Sequence, residues 1–110
     1  MSSDIVAKFV DASIKYEEAI KEGNSKKANK YSSVVRTIRK NLRDNGQLNI
    51  LTAALKHKND YVKLNVACSV IYIIPNEAEE VLKELAKKRG LAGFEAQIFL
   101  REWHAGNIIT

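Results

Sequence analysis

The sequence predicts an all-α fold of about six helices, and three observations support this prediction. Apolar residues recur at three- and four-residue spacing along most of the chain, whereas strands show a two-residue alternation. Only five glycines and one proline occur in 110 residues, and most fall between the periodic segments. The composition, 45% hydrophobic and 28% charged, is typical of a chain that buries a core without disulfides. We therefore expect residues 1–110 to form one helical domain.

Two long amphipathic helices are predicted first, over residues 3–22 and between residues 24 and 46. Their apolar positions are Ile5, Phe9, Ala12, Tyr16 and Ala19 in the first and Ala28, Tyr31, Val35, Ile38 and Leu42 in the second. Ser3 or Asp4 can cap the first helix, and Asn24 or Ser25 the second. Gly23 can adopt the left-handed conformation that ends a helix. The short connection predicts an antiparallel αα-hairpin.

The middle of the chain predicts a short helix followed by a buried one. Leucines spaced by three and four residues indicate a helix of about three turns over residues 48–57. Asn59 or Asp60 can cap the next helix, over residues 61–74, whose segment VACSVIYII is apolar on nearly every side. A helix apolar all round lies in the middle of a structure. Pro75 is expected to stop it, because proline cannot continue the hydrogen-bond ladder.

Two further helices are predicted over residues 76–89 and from about 92 to 104. The first is amphipathic, with acidic residues at its start and basic residues at its end, as the helix dipole favours, and Gly90 terminates it. In the last helix the candidate core residues are Phe94, Ile98, Leu100 and Trp103. No segment reads as a strand with turn residues around it.

The second half of the chain contains two similar helix pairs. The segment LNILTAALKHKNDYVKLNVACSVIYI resembles a HEAT repeat in its leucine-bearing first helix, in Asp60 at the turn and in small residues at Ala67 and Ser69. The segment EAEEVLKELAKKRGLAGFEAQIFLREW follows the same plan. One such pair cannot bury its own apolar face, so pairs stack to share a core. The prediction is an N-terminal αα-hairpin followed by two HEAT-like helix pairs in an α-α superhelix.

The order of these segments is more specific than the repeat. A hairpin containing KKANK, a HEAT-like pair, IIPNEAEEVL and finally GLAGFEAQIFLREWHAG resemble a family of small bacterial HEAT-like proteins catalogued as a domain of unknown function. The resemblance covers nearly the whole chain and implies no established enzymatic activity. Such proteins are also similar to immunity proteins of bacterial toxin systems, including contact-dependent growth inhibition. That similarity implies a cytoplasmic protein that binds and neutralises a cognate toxin domain encoded nearby.

The net charge of +5 is concentrated in the second helix. Residues 24–46 hold seven basic residues and one acidic residue. A basic face opposite the apolar stripe is formed by Lys26, Lys30, Arg36, Lys40 and Arg43. Three interpretations stay open, in this order: a solvated helix face, a surface for an acidic protein, and a phosphate-contacting surface for nucleic acid.

A second candidate surface follows from the expected superhelix, in which the second helix of each pair lines the concave side. Its candidate partner-binding residues are Tyr61, Lys63, Asn65, Ser69, Tyr72, Glu95, Arg101 and His104. Tyrosine and arginine are favoured as binding anchors because they bury much area and keep a polar tip. The structural alternatives are an ion pair of Lys63 with Asp60 and an ion pair of Arg101 with Glu95 or Glu102.

Catalysis, metal binding and membrane insertion have little support in the sequence. One cysteine and two histidines do not form a zinc pattern, and the acidic cluster at residues 77–80 is explained by the helix dipole. We therefore expect no enzyme activity, no cofactor, no metal and no small-molecule substrate. The start of the chain lacks a secretory pattern and no window of about 18 apolar residues occurs, so a cytoplasmic protein is expected.

Overall fold

The computed structural model describes residues 2–108, with side chains from residue 4 onward. It contains five α-helices and one 3-10 helix: α1 (Ser2–Glu22), α2 (Ser25–Asp44), the 3-10 helix (Leu48–Ala54), α3 (Asp60–Val70), α4 (Pro75–Ala86) and α5 (Leu91–His104). No strand occurs within this part of the chain. The predicted all-α fold with six helices is confirmed.

The first two helices form the expected hairpin, and α1 packs along α2. Gly23 has a φ of 72°, a left-handed conformation that residues with a side chain rarely adopt, and it turns the chain between the helices. Asn24 caps α2, since its side-chain oxygen accepts a hydrogen bond from the Lys27 amide at 3.0 Å. Of the two caps suggested for α1, Ser3 lies outside the residues whose side chains are described, and Asp4 lies in the first helical turn instead.

Helix α3 is central, as its all-round apolar pattern predicts. It packs against α1, the 3-10 helix, α4 and α5. Its fully buried apolar residues are Val62, Val66, Ala67 and Val70. The predicted end at residue 74 is wrong: α3 ends at Val70 and a turn follows. Pro75 begins α4 instead of stopping α3, because proline suits the first turn of a helix and holds Ile74 in a non-helical conformation (φ −133°, ψ 67°).

Two other helices are shorter than the sequence predicts. The segment expected to form three turns over residues 48–57 is a 3-10 helix that ends at Ala54. Hydrogen bonds between residues three apart continue beyond the end of this helix, as from the Leu55 amide to the Thr52 carbonyl oxygen at 3.1 Å. Helix α4 ends at Ala86, so that Lys87, Lys88 and Arg89 form the turn into α5. None of the described helices is both long and apolar enough to cross a membrane.

The core side of α5 consists mainly of small residues. Its buried positions are Ala92, Gly93, Ala96 and Leu100. Of the predicted core residues, Leu100 is buried and Trp103 packs against the core, but Ile98 lies at a groove described below. The prediction for Phe94 is wrong, because its side chain is 59% exposed. The close approach of the preceding turn to the start of α5 selects small side chains there and leaves the large ones outside.

Gly93 sits where that turn meets α5. A Cβ atom added to Gly93 would overlap the Lys88 carbonyl oxygen and lie 3.0 Å from the Leu85 carbonyl oxygen. Both neighbours are backbone atoms, so they cannot move aside as a flexible side chain could. The turn between α4 and α5 therefore depends on the absence of a side chain at this position.

We predict that Gly93→Ala destabilises the protein. Helix propensity alone would stabilise an alanine by about 1 kcal/mol, whereas overpacking against rigid neighbours costs roughly 1–3 kcal/mol or more. The net effect should be a lower free energy of unfolding, measured by urea denaturation. Glu80→Ala, at an exposed position of α4, is the control and should change stability by about 0.5 kcal/mol or less. An unchanged or more stable Gly93→Ala would contradict the close approach.

Candidate partner-binding groove

Helices α2, α3 and α5, the second helix of each pair, line one groove, as expected for the concave side of a superhelix. This second-helix groove is lined by Arg36 and Arg39 of α2, Asn65 and Cys68 of α3, and Glu95 and Glu102 of α5. Its larger part has a volume of about 430 Å³ and a second part, toward α1, about 240 Å³. Arg39, Asn65 and Glu95 line both parts, so these three residues mark the middle of the groove.

The α2 side carries three arginines. Arg36, Arg39 and Arg43 are spaced by three and four residues and therefore share one side of the helix. Arg36 and Arg43 are exposed, whereas Arg39 is partly buried. Burial lowers the pKa of Arg39 from its ordinary value of 12.5. Because a guanidinium stays protonated in proteins, this side of the groove holds a row of positive charges, called here the arginine row.

A chain of hydrogen bonds fixes Arg39 to the groove floor. The Arg39 Nε donates to the Ser69 Oγ at 2.7 Å, and that hydroxyl donates to the Asn65 carbonyl oxygen at 2.7 Å. The Asn65 Nδ2 donates to the Ser13 Oγ at 2.9 Å, which in turn donates to the Phe9 carbonyl oxygen at 2.8 Å. The chain joins α2, α3 and α1 and satisfies the buried hydroxyl groups of Ser13 and Ser69.

The α5 side carries two carboxylates, Glu95 and Glu102. The Tyr61 hydroxyl donates to the Glu95 Oε2 at 2.7 Å, and the Asn107 Nδ2 donates to the Glu102 Oε2 at 2.8 Å. Burial raises the pKa of Glu95 above its ordinary value, while the bond from Tyr61 opposes that change. Burial and the nearby Glu95 carboxylate raise the pKa of the Tyr61 hydroxyl.

The two charged sides do not neutralise each other. Among the described residues, no ion pair within 4.0 Å includes Arg39, Glu95 or Glu102. Arg43 lies 3.8 Å from Asp44, but that carboxylate is also held by Lys40 at 2.8 Å. The groove therefore separates positive charge on α2 from negative charge on α5.

Five of the eight predicted partner-binding residues lie in or beside the groove. Asn65 and Glu95 line it, and Tyr72 lies at an adjoining hollow with Arg43. The predicted outward position of Tyr61 and Ser69 is wrong, because these side chains are 3% and 0% exposed. Both act inside the protein, where Tyr61 holds Glu95 and Ser69 holds Arg39.

The other three predicted residues lie elsewhere. The Lys63 Nζ is 3.3 Å from the Asp60 carboxylate, which is the predicted structural alternative. The His104 Nε2 is 3.1 Å from the Glu79 Oε1 and joins α5 to α4. Arg101 is exposed, and the alternative ion pair with Glu95 or Glu102 is not formed within 4.0 Å.

The predicted basic face of α2 divides into two parts. All five residues, Lys26, Lys30, Arg36, Lys40 and Arg43, are exposed. Arg36 lines the groove and Arg43 the adjoining hollow, whereas the three lysines line neither. The sequence analysis missed Arg39, since it falls toward the apolar stripe. The spacing of three arginines along one side of α2 could have indicated that Arg39 belongs to a charged surface.

The groove lacks an activated nucleophile. Burial raises the pKa of the Cys68 thiol to about 12, so the reactive thiolate is scarce at neutral pH. None of the residues lining either part of the groove is a histidine. Within residues 2–108, no group of three histidine, cysteine, aspartate or glutamate side chains is placed to hold a metal ion. The groups that are present can form hydrogen bonds and ion pairs.

A separate hollow of about 500 Å³ lies against α4 and is a weaker candidate. Its floor is apolar, with Leu55, Val81 and Leu85, and lysines and glutamates surround it. Two of its lysines already have a counter-charge, since the Asp60 carboxylate lies 3.3 Å from the Lys63 Nζ and 3.0 Å from the Lys88 Nζ. The second-helix groove is the stronger candidate because no described carboxylate lies within 4.0 Å of its central arginine, Arg39.

Comparisons with known proteins show the family and the fold. Residues 3–102 match the family model described as a domain of unknown function, DUF2019. The chain is similar to the crystal structure of the protein RPA1889 from Rhodopseudomonas palustris CGA009, with a TM-score of 0.91 and 21% sequence identity. The similarity covers 100% of this chain and 93% of that one. The comparison with curated proteins found no match.

Glu95 provides a test of the groove's electrostatics. In Glu95→Gln the amide still accepts a hydrogen bond from Tyr61 but carries no charge to be desolvated. Because the pKa of Glu95 is raised in the folded protein, its protonated form contributes stability below pH 4.5, the ordinary pKa. This contribution is lost as the pH rises through the pKa of Glu95 in the folded protein. The stability of Glu95→Gln relative to wild type should therefore increase from acidic to neutral pH.

Urea denaturation from about pH 4 to about pH 8 measures this difference. Glu80→Gln removes one exposed carboxylate from α4 and controls for the change in net charge. The opposite result, in which Glu95→Gln loses stability relative to wild type as the pH rises, would mean that the groove stabilises the charged carboxylate.

Proposed function

The chain belongs to the DUF2019 family, and from the geometry of its second-helix groove we propose that it is a protein-binding module without catalytic activity. The observation that supports this proposal most directly is the charge separation across the groove. Arginines on α2 face carboxylates on α5, and neither side compensates the other within 4.0 Å. A partner segment with charges of both signs would complement both sides.

The groove favours a protein over a nucleic acid as its occupant. A phosphodiester backbone carries one negative charge per nucleotide, so Glu95 and Glu102 would repel it along one whole side. The groove is also partly apolar, since Leu64, Ile98 and Phe99 line its larger part. Mixed charge above an apolar floor is typical of protein interfaces, where oppositely charged groups set orientation and apolar contact supplies affinity.

Among the described residues, the groove lining offers neither a histidine nor an activated thiol, which favours a binding role. Acid–base catalysis needs a titratable group near neutral pH, and nucleophilic catalysis needs an activated thiol, hydroxyl or amine. Cys68 is held as a thiol, and Tyr61 donates its hydroxyl to Glu95. The proposal therefore includes no cofactor, no metal and no small-molecule substrate.

In its most specific form, the proposal is a cytoplasmic immunity protein that binds and neutralises a toxin domain encoded nearby. Its support is the resemblance to small helical immunity proteins and the presence of a groove able to receive part of such a domain. The net charge of +5 does not fit an overall mimic of nucleic acid. The toxin would be recognised through the mixed charges of the groove, by contacts that cover its active site.

Nucleic-acid binding through the basic face is the alternative. Lys26, Lys30 and Lys40 are exposed on α2 outside the groove, and the Lys30 Nζ lies 5.3 Å from the centroid of the Tyr31 ring. Phosphate contacts by these lysines would give an affinity that falls steeply with salt. Loss of retention in the triple variant of Lys30, Arg36 and Lys40 to glutamate, on a nucleic-acid column at low salt, would support this alternative.

We predict a one-to-one complex with the protein encoded just upstream, measured by calorimetry with purified proteins. The double variant Arg36→Glu and Arg43→Glu should weaken this complex about tenfold or more, because it reverses the exposed part of the arginine row. Both side chains are exposed, so the variant should remain folded.

The matched control is the double variant Lys26→Glu and Lys30→Glu, which makes the same charge change on the same helix but outside the groove. It should retain the affinity for the partner. Equal weakening by both variants would indicate a general charge effect and not the groove. If the upstream protein neither binds nor loses its toxicity on co-expression, the immunity form of the proposal is wrong.

A further inference from the structure

Arg39 is held at its Nε atom but uses only part of its hydrogen-bonding capacity. Its Nε donates to Ser69, and neither Nη atom has a hydrogen bond to the described residues. None of the fully buried side-chain nitrogen or oxygen atoms in that part of the protein lacks a partner, so each Nη atom keeps some contact with solvent. Arg39 lines both parts of the groove, so the N–H donors of its two Nη groups are the part of this side chain left for a ligand there.

The hydrogen-bond chain beneath Arg39 prepares it for binding. Because Ser69 is fully buried and is itself bonded to the Asn65 carbonyl oxygen, the position of the Arg39 Nε is set by the fold. A side chain that is already ordered loses little conformational entropy when a ligand binds. An arginine fork fixed at Nε leaves both Nη groups for a carboxylate, which can accept two parallel hydrogen bonds.

The surroundings of Arg39 increase the benefit of a counter-charge. Among the described residues, no carboxylate lies within 4.0 Å of the Arg39 guanidinium, so its partial burial removes hydration without an ion pair from that part of the protein. Burial is the main cause of the lowered pKa of Arg39, and its Nε donates to a neutral hydroxyl, that of Ser69. An incoming carboxylate would meet less screening here than at Arg36 or Arg43, which are exposed.

The rest of the groove defines what accompanies that carboxylate. Ile98 and Phe99 of α5 line the same part of the groove as Arg39, and they offer contact to an apolar side chain. Glu95 and Glu102 face the occupant from α5 and oppose a second negative charge. The occupant that fits is a peptide segment with one acidic residue beside an apolar residue, with any basic residue directed toward α5.

We propose that Arg39 is the specificity-determining contact of the second-helix groove, and that it receives the aspartate or glutamate side chain of a partner's peptide segment. This inference rests on the proposed protein-binding function and adds the chemistry of the segment recognised. The arrangement selects for a single acidic residue, since the carboxylates of α5 disfavour an extended acidic run.

Selection from a phage library of random twelve-residue peptides, with the full chain immobilised, tests this inference. The wild type should enrich peptides that carry one acidic residue at a fixed distance from an apolar residue. Arg39→Gln should lose the acidic preference. Arg89→Gln, which removes an exposed arginine outside the groove, is the matched control and should keep it.

A second measurement does not depend on the folding of Arg39→Gln. A synthetic peptide from the wild-type selection, compared with its acid-to-amide analogue, should bind the wild type at least about tenfold more tightly. In Arg39→Gln, if its melting temperature shows a folded protein, the two peptides should bind equally.

Each other outcome decides a different question. Enriched peptides without an acidic preference, or an acid whose replacement weakens binding to wild type and Arg39→Gln equally, would overturn the role of Arg39 and leave the groove as a binding site. Enrichment that persists unchanged in Arg36→Glu with Arg43→Glu would place the binding site elsewhere. No enrichment by the wild type would overturn the groove as a peptide-binding site, and with it this inference.

Discussion

Helix α3 must lie in the core and still satisfy the polar side chains that it carries, and the positions of its neighbours follow from that constraint. Its apolar residues face four other elements, so it cannot be moved to the surface without exposing a large apolar area. Ser69, Asn65 and Tyr61 lie along the same helix and reach partners on α2, α1 and α5. An unsatisfied buried polar group costs about 1–3 kcal/mol, which makes these partners a requirement of the fold.

The groove is a direct consequence of this arrangement. Helices α2 and α5 each reach α3 through a polar side chain, Arg39 from one side and Glu95 from the other, and they leave a gap between them. These charged side chains are held by hydrogen bonds to neutral hydroxyl groups, and they do not bond to each other. The hydrogen bonds that stabilise α3 therefore also position the charges of the groove, so the fold and the candidate binding site share the same residues.

Much of the fold follows from periodicity, and the errors have identifiable causes. The three- and four-residue spacing of the apolar residues predicted the helices. The segment that is apolar on all sides predicted the central position of α3. Phe94 was misplaced because periodicity assigns large apolar residues to the core, whereas a close backbone approach selected Ala92 and Gly93 there. Tyr61 and Ser69 were placed outside because their polar groups suggest solvent, but Glu95 and Arg39, distant in the sequence, satisfy those groups inside. Such distant pairs leave no local pattern.

Among the described residues, Arg39 and Glu95 line one groove without forming an ion pair, and the proposed binding function would explain this arrangement. If stability alone mattered, an apolar residue at position 39 would avoid the desolvation of a guanidinium, since a buried charge without a counter-charge is unfavourable. The same holds for Glu95, because burial disfavours its charged form and raises its pKa. Two oppositely charged groups that line one groove without pairing make the uncomplexed protein less stable than it could be. A partner that supplied both counter-charges would recover that free energy on binding.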